Sequence, residues 1–257
     1  MYLCSKVFNP DQSGHFFDLV YMGRAFEYRK ARKMKRWDAM AKAFTRWGRE
    51  IAIAVKQGGP DPETNPRLRA AIANAKGVNM PKEKVENAIK KASNKDEKDF
   101  EEIVYEGYGP HGVAVVVETA TDNPTRTVAN VRLHFNRTGG ALGTKGSLDF
   151  IFTRKGVFRI PAEGQNLEDL ELELIDYGAD EIYEEEGEIL VYTSFTDFAG
   201  MQKALEEKGI PVTSAELQRI PNSHSELSDE QVEDVIKLID RLEEDDDVQA
   251  VYHNMKE

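Results

Sequence analysis

Between Trp37 and Lys56 the apolar residues Trp37, Met40, Ala41, Phe44, Trp47, Ile51 and Val55 return at three- and four-residue steps, the signature of one buried helix face. Lys35, Lys42, Arg46, Arg49 and Lys56 fall on another stripe of the same helix. Gly58-Gly59-Pro60 breaks the pattern. Asn65 then offers an N-cap, Pro66 the first helical position, and Leu68, Ile72 and Ala75 a buried side that runs to Gly77. From Pro81 a further helix is predicted, with Val85, Ala88, Ile89 and Ala92 inward and Lys82, Lys84, Lys90 and Lys91 mostly outward. Residues 22–95 thus read as a small helical domain.

An acidic linker, Asn94 to Glu102, changes the texture. Ile103 to Tyr108 and Val113 to Thr119 are strand-like and joined through Gly109-Pro110-His111-Gly112, and Asp122-Asn123-Pro124 caps a helix that turns Val128, Val131 and Phe135 inward. From Ser147 the pattern gives strand Leu148–Ile160, helix Leu167–Tyr177, strands Glu181–Tyr183 and Glu188–Tyr192, helix Phe195–Lys208 and strand Thr213–Ile220. That is βαββαβ, the ferredoxin-like order. A helix Asp229–Glu243 and a strand Val248–His253 remain, matching the incomplete ββα upstream. The expected fold class is α+β with three domains: a helical N-terminal domain at 22–95, a discontinuous α/β domain at 96–146 plus 222–257, and a ferredoxin-like α/β domain at 147–221 inserted into it.

Charge divides along the same boundary. Residues 22–95 hold 19 Lys/Arg against seven Asp/Glu, a balance of +12 in a chain whose formal total is -12, which leaves -23 for residues 96–257. A basic head can condense on a polyanion and release its counterions, whereas the acidic body is repelled by the same surface. The run Arg29, Lys30, Arg32, Lys33, Lys35 and Arg36, continued by Lys42, Arg46 and Arg49, holds one acid, Asp38. Solvation alone would tolerate mixed signs, so this run points to nucleic acid. Arg67, Arg69, Lys76 and Lys82 on the next helices join the candidate binding residues.

Other chemistry is thinly represented. The longest apolar runs, Ile51–Val55 and Val113–Val117, are far short of the roughly 18 to 20 residues of a membrane span, so no membrane partner is expected. A single cysteine, Cys4, allows no internal disulfide or cysteine-based zinc site and fits a reducing cytoplasm. Residues 1–21 lack a secretory pattern and read as an upstream start or a disordered arm ahead of Met22. The five histidines show no ligand-like spacing, and no nucleophile–base pair is evident. The stretch Thr138 to Ser147 is glycine-rich but follows a helix, and Thr144 separates Gly143 from Lys145, so it fails the phosphate-loop templates and reads as a helix exit. The expectation is a non-enzyme without metal, cofactor or small-molecule substrate.

Several blocks together resemble one family. Gly58-Gly59-Pro60-Asp61-Pro62 with Asn65 to Arg69, Ala75-Lys76, Asn79-Met80-Pro81-Lys82, Gly107-Tyr108-Gly109-Pro110, Thr121-Asp122-Asn123-Pro124 and the ending Asp246 to Asn254 are similar to the YebC/PmpR family in the same order. The resemblance implies a three-domain crescent and a cytoplasmic regulator. Bacterial members are described as DNA-binding transcriptional regulators, and the mitochondrial relative as a translational activator, so a translation factor on ribosomal RNA is the alternative. The acidic domains would then meet protein partners. The chain departs from the family at its opening, where Gly23-Arg24-Ala25-Phe26-Glu27 replaces the usual Gly-His-Ser-Lys-Trp.

Overall fold

The computed structural model describes residues 40–94 and 99–256; the leader and the run Arg29–Arg36 lie outside them. From Phe44 onward the chain forms one compact unit. A first helix, α1, covers residues 40–58, followed by α2 (Pro66–Gly77) and α3 (Lys82–Ala92). Their shared core is Trp47, Ile51, Ala54 and Val55 against Leu68, Ala71 and Ala75, with Val85 and Ala92 from α3. One buried side chain closes the α1–α2 turn. Asn65 accepts the Leu68 amide at 3.1 Å as the cap of α2, while its own amide donates to the carbonyls of Ala54 and Gly59 at 2.7 and 2.9 Å. A Cβ at Gly58 would fall 2.7 Å from that side chain, so the glycine makes room for the cap.

Strands β1 (Glu101–Tyr108) and β2 (Ala114–Thr121) pair antiparallel, and α4 (Pro124–Arg137) follows under an Asn123 cap. The glycine-rich stretch contains a two-residue strand, β3 (Ala141–Leu142), which the sequence pattern does not reveal. It reaches β1 because position 107 has no side chain: a Cβ there would lie 2.6 Å from the Ala141 carbonyl.

Next come β4 (Phe152–Pro161), α5 (Leu167–Leu174), β5 (Ala179–Glu185), β6 (Glu188–Ser194), α6 (Phe198–Glu207) and β7 (Ser214–Pro221). Helix α7 (Asp229–Glu243), opened by a Ser228/Gln231 capping box, and β8 (Val248–His253) end the chain. The strands form two antiparallel sheets, β3-β1-β2-β8 and β5-β6-β4-β7. The second has the ferredoxin-like order and is inserted between strands of the first, as the α+β reading expects.

Strand β2 is buried on both faces, which explains why its valines run on rather than alternate. Val113, Val115 and Val117 meet Val131 and Phe135 of α4 and Val235, Leu238 and Leu242 of α7. On the other face Ala114 and Val116 meet Leu148, Ile151 and Phe152. Leu148–Ile151, expected as strand, is therefore a turn; its apolar residues serve the back of the first sheet instead of a ladder. Among the described residues no helix is long and apolar enough to cross a membrane.

Candidate nucleic-acid interface

Among the described residues, the arginines and most of the lysines of the helical region occupy different environments. Arg46 pairs with Glu216 at 2.8 Å. Arg49 lies largely buried and donates to the Ala120 carbonyl at 2.9 Å, to the Asp246 carbonyl and to Asp247 Oδ1 at 3.1 Å. Arg67 bridges Glu50 at 2.9 Å and Glu102 at 2.6 Å, and Arg69 reaches Glu206 at 3.4 Å. Each of these guanidinium groups is thus engaged by a carboxylate, most of them from the acidic part of the chain. Arginine suits such contacts because its planar fork satisfies several acceptors at once.

Most of the described lysines face out, whereas Lys56 pairs with Asp99 at 2.9 Å. Lys42 is exposed on α1, Lys76 is exposed in the last turn of α2, and Lys82, Lys84 and Lys90 are exposed on α3. Lys82 stands one helical turn from Glu86, 3.5 Å away, and the Lys84 ammonium lies 4.9 Å from the centre of the Phe44 ring. Such exposed contacts hold a lysine only weakly, so its charge stays available. The tryptophan of the described stripe, Trp47, is buried in the helical core. Of the candidate residues, Arg46, Arg49, Arg67 and Arg69 are gathered into ion pairs, whereas Lys42, Lys76 and Lys82 reach solvent. Arg29, Lys30, Arg32, Lys33, Lys35 and Arg36 lie outside the described residues.

Two residues that the sequence did not single out hold this arrangement. Asp247, buried just ahead of β8, accepts from Arg49, from Arg126 at 2.7 Å and from the hydroxyls of Thr127 at 2.8 Å and Thr121 at 3.2 Å. Burial alone would raise its pKa; hydrogen bonds from Arg126 and Thr127, with the charges of Arg49 and Arg126, hold it below the usual carboxylate value. Asn74, buried on α2, pairs with both backbone groups of Ala215 on β7, donating at 2.8 Å and accepting at 2.8 Å. An asparagine between Ala71 and Ala75 on a buried helix face was the available signal.

The glycine-rich stretch is pinned by a carboxylate. Buried Glu106 accepts the amides of Gly146 at 2.9 Å and Leu148 at 2.8 Å, so those donors are already committed to an anion belonging to the protein. Among the described residues no three His, Cys, Asp or Glu side chains are placed to hold a metal ion.

This geometry has close relatives. Residues 24–95 match the family model for the TACO1/YebC protein N-terminal domain, and residues 100–255 match that for the TACO1/YebC second and third domain. The chain belongs to the TACO1/YebC family. A Porphyromonas gingivalis member named "Probable transcriptional regulatory protein" is 61% identical over 237 residues, covering 92% of this chain and 98% of that protein. A Flavobacterium psychrophilum member, "Probable transcriptional regulatory protein FP0835", is 58% identical, covering 92% of this chain and all of its own length. The crystal structure of a conserved hypothetical protein, Aq1575 from Aquifex aeolicus, matches with a TM-score of 0.75 and 41% identity over 84% of this chain and 90% of that one. The family resemblance in the sequence blocks is therefore borne out.

Proposed function

We propose that this protein is a non-enzymatic, nucleic-acid-binding regulator of gene expression, a DNA-binding transcriptional regulator acting in the cytoplasm through its basic helical region. The observation that carries the reading is the exposure of Lys42, Lys76, Lys82, Lys84 and Lys90 in a region whose described arginines, Arg46, Arg49, Arg67 and Arg69, are engaged by carboxylates. The basic run Arg29 to Arg36 adds to the same charge, and the relatives' names give the direction from phosphate attraction to transcription. Lysines supply compact charges for a phosphate backbone, a contact that positions a duplex more than it reads bases. The acidic α/β domains, repelled by the polymer, are left for protein partners.

Titration of promoter duplex, random duplex and ribosomal RNA fragments at several salt concentrations tests this reading. A promoter duplex bound at least tenfold more tightly than random duplex, with affinity falling linearly against log salt, is the expected result. Equal affinity for both duplexes would end sequence-specific regulation, and preference for the ribosomal RNA fragment would replace DNA with RNA as the target. Reversing Lys76, Lys82, Lys84 and Lys90 to Glu is expected to weaken binding and lower the salt slope by about 0.9 for each phosphate no longer neutralised.

A further inference from the structure

A cavity of about 680 Å³ opens beside α1 and α2, walled by both sheets and by the approach to α6. Its size is that of a small-molecule site. Most of the charge on its walls is already neutralised: Arg46 meets Glu216, Arg67 meets Glu50 and Glu102, and Arg219 meets Glu118 at 2.9 Å. Arg154 is different. It makes no ion pair within 4 Å among the described residues and acts on Glu102 only at longer range; its guanidinium lies 4.6 Å from the centre of the Phe195 ring, and that ring stays half exposed on the cavity wall. A cation and an aromatic surface are therefore presented together.

The wall formed by β8 carries an unmatched donor. Between Glu118 and Thr119 the pairing of β2 with β8 slips, Glu118 facing Ala250 and Thr119 facing Val248, so Gln249 is the extra residue of a β-bulge. Bulges re-aim a side chain at the cost of ladder regularity. This one brings Gln249 to the cavity wall, where its Nε2 is buried without a hydrogen-bond partner among the described residues. A buried amide donor left unpaired is costly, and an acceptor supplied by a ligand removes that cost.

The geometry points to a nucleotide site: the cavity takes a nucleoside monophosphate group, its phosphate on Arg154, its base against the open side of Phe195, and an acceptor of the base or sugar on Gln249. Guanidinium pairing suits phosphate, and stacking on Phe accepts any base. The ligand comes either as a free mononucleotide or as one unstacked residue of a single strand. This site is independent of the lysine surface proposed for duplex binding.

Calorimetric titration of the full chain with the four nucleoside 5′-monophosphates, and in parallel with a short single-stranded oligonucleotide, tests the assignment. Binding of a monophosphate by the wild type, weakened about tenfold or more by Arg154→Glu and by Gln249→Leu, is the expected result. Binding of the oligonucleotide alone, abolished in the same two variants, assigns the site to a strand. Absence of binding by either probe, or binding that both variants retain, overturns the proposal. Phe195→Ala, a change at an exposed ring, checks the stacking contact without touching the core. A variant with Lys82→Glu and Lys84→Glu separates the two readings: monophosphate binding is expected to persist there while duplex affinity falls.

Discussion

The arginine side and the lysine side of the helical region carry the same sign of charge and behave in opposite ways. Arg46, Arg49, Arg67 and Arg69 are drawn against carboxylates, while Lys76, Lys82, Lys84 and Lys90 extend into water. The balance of +12 for residues 22–95 is therefore an upper bound on what a polyanion meets. Part of that charge is internal cement, and the acidic excess elsewhere in the chain includes its counterpart. The difference also follows side-chain chemistry, since a guanidinium tolerates partial burial in a hydrogen-bonded pair and a hydrated ammonium is better left exposed.

The sharpest break of this comparison is at Asp247. Asp247→Ala leaves the largely buried Arg49 without its carboxylate partner, and urea unfolding should show a loss of about 3–5 kcal/mol. Asn74→Ala is expected to cost about 2 kcal/mol by the same measurement, because both backbone groups of Ala215 lose their partner. Acid should act on the arginine side first. Asp247 and Glu102 are both held below the ordinary carboxylate value, Glu102 chiefly by its hydrogen bond from Arg67. Their stabilisation is fully present above about pH 5 and is lost as pH falls through the lowered values, so Asp247→Asn should flatten the stability profile below about pH 4. The lysine side should give the smallest effect on folding. Lys82→Glu or Lys90→Glu is expected to move stability by no more than about 0.5 kcal/mol while weakening nucleic-acid binding, a split that Arg49→Ala would not show.

Some of this was legible from the chain. The limits of α7 and β8 follow from periodicity and turn residues, and Asn65-Pro66 announces α2 because cap and helix start are local chemistry. The second sheet was readable because its strands and helices alternate in order. The direction of the arginine stripe was not. Periodicity separates Arg46 and Arg49 from the apolar face of α1, but their partners Glu216 and Asp247 lie 170 and 198 positions away. A stripe outside the local core looks the same whether it faces solvent or another part of the chain. Leu148–Ile151 misleads for a related reason, since an apolar run can fill the back of a sheet without joining a ladder. The bulge at Gln249 exists only in the pairing of β8 with β2, so no reading of either strand alone contains it.

The insertion of the second sheet has a temporal consequence during synthesis. Its strands and both of its helices have left the ribosome once Pro221 has emerged, whereas the first sheet still lacks α7 and β8. The guest can fold while its host waits with β1 and β2 made and half of their covering layer missing. At about 5–20 residues per second the wait lasts a few seconds, during which the valine-rich edge of β2 that later receives β8 stands open. Closing that edge is the last act of the chain, and it seats Asp247 against Arg49 in the same movement.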